Sequence, residues 1–390
     1  MKAVYVDNNA TTQVAPEVKE TMLPFFEELY GNPSSIHHFG EKAAKEVKNA
    51  REQVASFLNV NPEEIVFTSC GTESNNTAIR GTLALCPDKR HVVTTKVEHP
   101  SVLNLCHYLK RNGYEVTELP VNRLGQLDLD ALQNSLRDDT AIVSIMYANN
   151  ETGVIFPIEE IGKIVKDRGI IFHCDGVQAA GKIPLNLSSL PVDFFSISGH
   201  KFHAPKGIGV LYIRKGIRIS PLLIGGHQEK GRRGGTENVP YIVGLAKACE
   251  LAAAYLKEDQ ARVKKLRDRL EEELTRLIPH TQVNGDRKNR LPNTLNISFE
   301  GVEGESILLL LNREGIGVST GSACSSGSLG PSHVLEAMGV PFNLIHGSIR
   351  FSLSRYNTNK DIDYIVEKLP PIIQKLRELS PVWQAKAELG

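Results

Sequence analysis

Two segments of this 390-residue chain place a reactive side chain directly after an apolar run. Asp175 follows the run in segment 170–178, and Lys201 closes segment 193–201. A carboxylate at the carboxyl end of a buried strand lies where open α/β sheets bind ligands and can pair with a protonated heteroaromatic nitrogen, although capping the next helix is the commoner role. A partly desolvated lysine can form a Schiff base, although a surface charge is commoner for a lysine.

A third segment, 68–76, is a turn of small polar residues between a predicted strand and a predicted helix. Backbone N–H groups at a helix N-terminus bind anions, and the hydroxyl of Thr72 would add a donor beside Gly71. Taken alone, such a turn is more often a simple helix cap. Together with Asp175 and Lys201, it predicts a pyridoxal phosphate site with a phosphate turn, a pyridinium partner and a Schiff-base lysine.

The six cysteines differ in their surroundings, and no two of them form a CxxC pair. We therefore expect neither a disulfide framework nor a zinc site. Cys324 lies in a loop of small residues, 319–330, where nothing bulky could bury a thiol, so its pattern favours reactivity. The others are expected to pack in the core or, in the case of Cys70, to fill the turn at 68–76: Cys70, Cys86, Cys106, Cys174 and Cys249.

The elements that must position these side chains alternate between strands and helices from about residue 43 to 255. Several of the strands are near-continuous apolar runs, which is typical of strands buried on both faces in a mostly parallel sheet. This pattern predicts an α/β fold. The predicted strands lie at about 64–69, 91–95, 115–119, 141–146, 170–174, 193–197 and 209–213.

The pattern changes after residue 255. A helix with one apolar face is predicted for 256–278, followed by alternating strands at 294–299 and 348–353 and helices at 304–313 and 359–378. Pro370 and Pro371 are expected to interrupt the last helix. We therefore predict a large domain over 15–258 and a smaller α+β domain formed by 1–14 and 259–390, which carries the loop 319–330.

Composition excludes several other classes of protein. Lysine and arginine total 45, as do aspartate and glutamate, so the chain lacks the basic surplus typical of nucleic-acid binders. No run of about 18 uninterrupted apolar residues suggests a membrane span, and the N-terminal segment resembles no signal or transit peptide. We expect a cytoplasmic protein without nucleic-acid or membrane partners. The histidines show no metal-like spacing, so no intrinsic metal site is predicted.

Motifs along nearly the whole chain carry a specific resemblance. The chain resembles the NifS/IscS-type cysteine desulfurases, which are fold-type I pyridoxal phosphate enzymes of the class V aminotransferase family. The motifs are YVDNNATT at 5–12, YGNPSSIH at 30–37, TSCGTESNN at 68–76, EHPSV at 98–102, NNETG at 149–153, DGVQAAGK at 175–182, SGHK at 198–201, PKGIG at 205–209, RGGTENVP at 233–240, STGSACSSG at 319–327 and IRFSLSRY at 349–356. One departure is Cys70, which stands where glycine is frequent in the family.

The resemblance implies a role for each matching residue. Lys201 would carry the Schiff base, Asp175 would hold the pyridine nitrogen protonated, Gln178 would bond the phenolic oxygen, and His99 would stack on the ring and help move protons. The phosphate would be held by Gly71, Thr72, Ser198 and His200, with Thr236 reaching in from the other subunit of a homodimer. Asn150 would contact the cofactor and, with Arg350, hold the substrate carboxylate, and Cys324 would be the nucleophile that takes the sulfur.

The implied activity is removal of sulfur from L-cysteine, which gives L-alanine and a persulfide on Cys324. An iron–sulfur scaffold or another acceptor protein would receive the sulfur, and Cys324 could transiently ligate a cluster with that scaffold. Nitrogenase maturation, general iron–sulfur assembly and tRNA thiolation remain open as the pathway. An aminotransferase or β-lyase of the same fold, such as a selenocysteine lyase, would need no Cys324, and an iron–sulfur scaffold would contain iron rather than pyridoxal phosphate.

Overall fold

The structure is a computed structural model that describes residues 3–320, 330–381 and 383–384. Within these residues, the strands alternate with helices along most of the chain. In chain order the strands are β1 (Val4–Tyr5), β2 (Ile65–Thr68), β3 (His91–Thr95), β4 (Glu115–Leu119), β5 (Thr140–Met146), β6 (Ile171–Asp175), β7 (Phe194–Ser198), β8 (Gly209–Ile213), β9 (Thr281–Val283), β10 (Thr294–Phe299), β11 (Ile316–Gly317), β12 (Ser319–Thr320) and β13 (Ser348–Ser352).

Helices lie in the connections between the strands and after the last strand. In chain order they are α1 (Pro16–Met22), α2 (Pro24–Glu27), α3 (His38–Leu58), α4 (Gly71–Leu85), α5 (Pro100–Arg111), α6 (Leu129–Ser135), α7 (Ile158–Asp167), α8 (Val239–Leu277), α9 (Gly304–Arg313), α10 (His333–Ala337), α11 (Phe342–Ile345) and α12 (Asn359–Glu378). A short 3-10 turn, Gly199–Lys201, follows β7 directly.

A large sheet has seven strands in the order β2-β8-β7-β6-β5-β3-β4. Strand β8 runs antiparallel to both of its neighbours, and the pairs from β7 to β4 are parallel. Strands β5 and β7 are buried at every residue, because helices cover both faces of the sheet. The predicted α/β fold with a mostly parallel sheet is confirmed.

A second, antiparallel sheet has the order β12-β13-β10-β9 and its own apolar core. Strand β1 lies outside both sheets and pairs in parallel with β11. The buried apolar residues of the second sheet form a cluster of their own, distinct from the cluster under the large sheet. This smaller core includes Leu270, Ile297, Phe351 and Ile365. The division into domains at residues 14/15 and 258/259 remains a prediction.

Helix α8 differs from the prediction for 256–278, because it begins at Val239 and runs without a break to Leu277. Its first half packs Leu245 and Ala246 into the core of the large sheet, and its second half packs Leu266 and Leu270 into the smaller core. The apolar stripe therefore changes partner along one continuous helix. In the sequence, this change in the apolar pattern is read as the start of a helix near residue 256, although the helix is continuous from Val239 to Leu277.

Helix α8 is also the one helix among the described residues that is long and apolar enough to cross a membrane. Its apolar residues are accounted for by these two cores. The last helix, α12, differs from the prediction too, because it continues through Pro370 and Pro371. Leu369 and Ile373 are buried on either side of the prolines, and this packing offsets the two missing backbone hydrogen bonds.

Candidate active site

The turn at 68–76 opens helix α4 towards a cavity. Cys70 is the N-cap of the helix, and its Sγ accepts the backbone N–H of Glu73 at 3.5 Å. A Cβ on Gly71 would lie 2.7 Å from Cγ2 of Val177, so the close approach requires glycine there. The side chain of Thr72 is exposed beside it. The turn is thus both a helix cap and a possible anion site, since the N–H groups of the first turn point out of the helix.

Asp175 is the last residue of β6 and is 6% exposed. Its Oδ1 accepts the backbone N–H of Val177 at 3.0 Å, and its Oδ2 accepts a hydrogen from Nδ2 of Asn75 at 2.7 Å. Both hydrogen bonds stabilise the ionised carboxylate, because both partners are donors. Asp175 therefore caps the following turn, as the commoner role suggests, and also presents a fixed negative charge at the end of the sheet.

Lys201 lies at the end of the 3-10 turn that follows β7 and is half-buried rather than a surface charge. Its Nζ donates hydrogen bonds to the backbone oxygens of Asn9 (2.6 Å) and Ala10 (2.8 Å). These two carbonyls belong to the segment between β1 and α1, so a distant part of the chain fixes the position of the amine.

His99 is the N-cap of α5, and its ring points back onto the helix. Nδ1 accepts the backbone N–H of Ser101 at 3.1 Å and lies 2.9 Å from Oγ of the same residue. Burial, together with the charges of Lys201, His333 and Arg350, lowers the pKa of His99 to about 4. Burial likewise lowers the pKa of His200 to about 4. Both imidazoles are therefore neutral at pH 7.

Gln178 lies one turn after Asp175, and both ends of its amide have partners. Nε2 donates to the backbone oxygen of Asn9 at 3.0 Å, and Oε1 accepts from Nζ of Lys182 at 2.5 Å. Lys182 also donates to Oδ1 of Asn9 at 3.1 Å, and burial lowers its pKa well below the ordinary value. Because Lys182 holds Oε1, the amide presents its second Nε2–H as the free donor.

The side chains predicted to bind the cofactor lie around one cavity of about 250 Å³. Nine of the ten line it: Gly71, Thr72, His99, Asn150, Asp175, Gln178, Ser198, His200 and Lys201. The tenth, Thr236, does not line this cavity, and its side chain is exposed on the surface of the chain.

Arg350 reaches this region from the second sheet and is 1% exposed. Its Nη1 donates to the backbone oxygen of Asn150 at 3.0 Å, and its Nη2 donates to Oδ1 of Asp7 at 2.8 Å. Among the described residues, the buried Nε atom has no hydrogen-bond partner. A buried donor without a partner costs about 1–3 kcal/mol, so this position is suited to an incoming acceptor such as a carboxylate.

Cys324, the predicted nucleophile, lies outside the described residues, as does most of the loop 319–330. The described chain stops at Thr320 in β12, where the preceding Ser319 pairs in register with Arg350. Three of the remaining cysteines, Cys106, Cys174 and Cys249, are buried and free. No group of three or more His, Cys, Asp or Glu side chains within the described part of the chain is arranged to hold a metal ion.

Four polar residues contribute to the site although no role was predicted for them. Asn9 and Lys182 hold Gln178, and Asn75 and Ser101 join Asp175 to His99. One of them had a signal in the sequence, because Asn75 lies four residues after Gly71 and so on the same face of the helix. The others become neighbours only through tertiary packing.

Comparisons with known proteins agree on one family. The model of the aminotransferase class-V family matches residues 4–365. A cysteine desulfurase of Trichormus azollae is 60% identical over 381 residues, which are 98% of this chain and 95% of that protein. The cysteine desulfurase NifS of Azotobacter vinelandii is 53% identical over 98% of this chain and 96% of its own length. A solved NifS-like protein superposes with a TM-score of 0.91 at 44% identity, covering 96% of this chain and all of that one.

Proposed function

The chain belongs to the aminotransferase class-V family, and we propose that it is a cysteine desulfurase that uses pyridoxal 5'-phosphate to convert L-cysteine to L-alanine. The family resemblance predicted from the motifs is thereby confirmed. The observation that carries the proposal is the cavity that brings Lys201, Asp175 and the N-terminus of α4 together.

The residues around the cavity fit this cofactor chemically. The N–H groups of α4 and the hydroxyl of Thr72 suit a phosphate, the fixed carboxylate of Asp175 suits a protonated pyridine nitrogen, and the donor on Gln178 suits a phenolic oxygen. Lys201 supplies the amine. When bound, pyridoxal phosphate acts as an electron sink that stabilises negative charge on the substrate's α-carbon.

The protein's own groups then have separate tasks. Asp175 keeps a negative charge at the ring nitrogen and so keeps a proton there. Lys201 offers its amine at the end of the sheet, with Nζ aimed by the carbonyls of Asn9 and Ala10. His99 covers the cavity with a neutral imidazole, which can stack on an aromatic ring without adding a charge. Ser198, the last residue of β7, and His200, in the turn that follows it, complete the phosphate end.

Arg350 and Asn150 are proposed to hold the substrate carboxylate. The guanidinium is fixed by Asp7 and by the backbone of Asn150, and its buried Nε is the donor that still needs an acceptor. An arginine held in this way orients a carboxylate with little loss of entropy on binding.

The sulfur is proposed to pass to Cys324. Its thiolate attacks Sγ of the substrate, an S–S bond forms and the Cβ–Sγ bond breaks, so that L-cysteine plus the Cys324 thiol become L-alanine plus a Cys324 persulfide. Cys324 follows Thr320 by four positions in the sequence, a length of chain that spans at most about 14 Å. Because Ser319 pairs with Arg350, this short tether starts beside the proposed carboxylate site.

We also propose that the enzyme is a homodimer in which Thr236 completes the phosphate site of the partner. Thr236 is exposed and lies away from the cavity of its own chain. Two large apolar side chains, Ile36 and Ile224, are 95% and 89% exposed, and contact with a second copy of the chain would remove them from water. Sedimentation of the holoprotein at low micromolar concentration tests this proposal, and an active monomer would contradict it.

The persulfide is proposed to serve an iron–sulfur scaffold protein, with which Cys324 would transiently share a cluster. A nucleophilic thiol must stay reduced, which supports a cytoplasmic location. Incubation with a purified scaffold, iron and L-cysteine should assemble a cluster on the scaffold only when Cys324 is present.

The activity itself is tested with purified protein, pyridoxal phosphate and L-cysteine, with alanine and sulfide both measured. Wild-type protein should release alanine, and alkylation should trap a persulfide on Cys324. Cys324→Ser should form no persulfide, whereas Cys86→Ser, at the end of α4, should behave like the wild type. Lys201→Ala should make no alanine, with Lys215→Ala as the matched control. Alanine production by both Lys201→Ala and Cys324→Ser would contradict the proposal.

A further inference from the structure

Asp175 and His99 are joined by two side chains that have no assigned role. Nδ2 of Asn75 lies 2.7 Å from Oδ2 of Asp175 and 2.9 Å from Oγ of Ser101. The same Oγ lies 2.9 Å from Nδ1 of His99. The connection therefore runs from β6 through α4 to the first turn of α5, and Asn75 is 1% exposed.

The donors in this connection can be assigned from its two ends. Asp175 is a carboxylate and can only accept, so the group of Asn75 that faces it must be the NH₂, because a carbonyl oxygen there would be repelled. The second hydrogen of the same Nδ2 goes to Oγ of Ser101. The backbone N–H of Ser101 can only donate and points at Nδ1 of His99, so Nδ1 is an acceptor and the hydroxyl hydrogen of Ser101 is directed to it as well.

Nδ1 of His99 consequently accepts twice. It takes the hydroxyl hydrogen of Ser101 and also the backbone N–H of Ser101, at 3.1 Å. A nitrogen that accepts both hydrogen bonds carries no proton, so in a neutral imidazole the proton is on Nε2. The ring is neutral because burial lowers its pKa, and the charges of Lys201, His333 and Arg350, which face it from three other elements, lower the pKa in the same direction.

We propose that Asn75 and Ser101 are positioning residues that hold His99 as the Nε2–H tautomer and tie the orientation of its ring to the carboxylate of Asp175. His99 then presents a hydrogen-bond donor to the cavity at the start of the reaction, and not a base. The effect on turnover rests on the proposed function, whereas the tautomer does not.

The tautomer is measured directly in cofactor-free protein labelled with ¹⁵N-histidine. Two-bond ¹H–¹⁵N spectra at pH 7 distinguish Nδ1–H from Nε2–H, and His99→Gln identifies the signals of His99 among the twelve histidines. We expect the Nε2–H pattern in the wild type. In Asn75→Ala and Ser101→Ala, the Nδ1 signal should move towards the value of a mixture of tautomers.

Two further variants separate positioning from general damage to the fold. Asn76→Ala removes the neighbouring asparagine of α4, whose side chain bonds only to the backbone oxygen of Thr72, and should leave the His99 signals unchanged. Ser101→Thr keeps the hydroxyl and should restore the wild-type pattern. A wild-type Nδ1–H pattern, or unchanged His99 signals in both alanine variants, would overturn the inference.

The holoenzyme supplies the second readout. Asn75→Ala should lower kcat by about tenfold to a hundredfold, since a small misplacement of a reacting group has effects of this size. Altered His99 signals with unchanged kcat would overturn the positioning role. A wild-type protein with the expected tautomer but no alanine production would instead contradict the proposed function and leave the tautomer assignment intact.

Discussion

The two sheets contribute to the active site in different ways. On the large sheet, both oxygens of Asp175 and the amine of Lys201 already have partners within the chain. On the smaller sheet, Arg350 is more deeply buried, yet its Nε finds no partner in the part of the chain that the structure describes. A group that is already held by hydrogen bonds within the chain is in position before a ligand binds, whereas an unpaired buried donor gains most when a ligand arrives. The difference indicates that the large sheet provides a preformed site for the cofactor, whereas the site at Arg350 on the smaller sheet is completed by the substrate in each cycle.

The comparison predicts its largest effect for Asp175→Asn. The asparagine keeps the shape but removes the charge that holds the ring nitrogen protonated, so kcat should fall on the order of 10²–10³-fold, as when a preorganised electrostatic group is lost. KM for L-cysteine should change little. Stopped-flow absorbance and alanine assays measure both quantities.

The matched control for this variant is Asp128→Asn. Asp128 is the N-cap of α6, far from the cavity, and asparagine caps a helix equally well. It should leave kcat unaltered. If Asp175→Asn kept wild-type turnover, Asp175 would be no more than a cap for the turn at Val177.

A smaller effect, on KM rather than on kcat, is expected for Arg350→Lys. Lysine keeps the charge but cannot bond Asp7, the Asn150 backbone and a carboxylate at once, so KM should rise by roughly tenfold to a hundredfold while kcat falls less. Steady-state kinetics separates the two parameters, with Arg276→Lys on the exposed face of α8 as the control. A fall in kcat with KM unchanged would show that Arg350 does not bind the ground-state carboxylate.

Glu98 is an exception on the large-sheet side, because its buried Oε2 has no partner within residues 3–320, 330–381 and 383–384. Oε1 accepts from Thr95 and from the backbone of Met146, so a proton would sit on Oε2. Burial, together with the nearby charge of Asp175, raises the pKa of Glu98 to about 8. The group is therefore a neutral acid at pH 7 and adds no charge beside Asp175.

This protonation predicts a dependence of stability on pH. An unfolded glutamate loses its proton near pH 4.3, whereas the folded one keeps it to about pH 8. Between these values the folded state binds the extra proton, so the free energy of unfolding falls as the pH rises. Glu98→Gln, which mimics the neutral acid, should remove this fall and be more stable than the wild type at pH 8 by on the order of a few kcal/mol.

Thermal melts of cofactor-free protein from pH 5 to pH 8 test this expectation. The two proteins should melt alike at pH 5 and diverge as the pH rises, whereas the exposed substitution Glu258→Gln should leave the difference between pH 5 and pH 8 as in the wild type. Parallel curves for the wild type and Glu98→Gln would mean that Glu98 is ionised in the folded protein.

The amino-acid sequence by itself determined the seven strands of the large sheet, the type of that sheet and the reactive residues at the ends of β6 and β7. These features are local, because buried runs and small-residue turns show in the pattern of neighbouring residues. The family motifs then supplied roles for nine residues that the structure brings to one cavity. Asn75 and Ser101 lie within the motifs at 68–76 and 98–102, but the resemblance assigned no role to either.

Only the tertiary structure decided which groups hold the reactive ones in place. Lys201 is aimed by Asn9, 192 residues away, and Arg350 is fixed by Asp7, 343 residues away. Such hydrogen bonds depend on how the N-terminal segment passes between the two sheets, which no local pattern encodes. The same holds for α8, whose single helix joins two cores because its apolar face finds a different partner in each half.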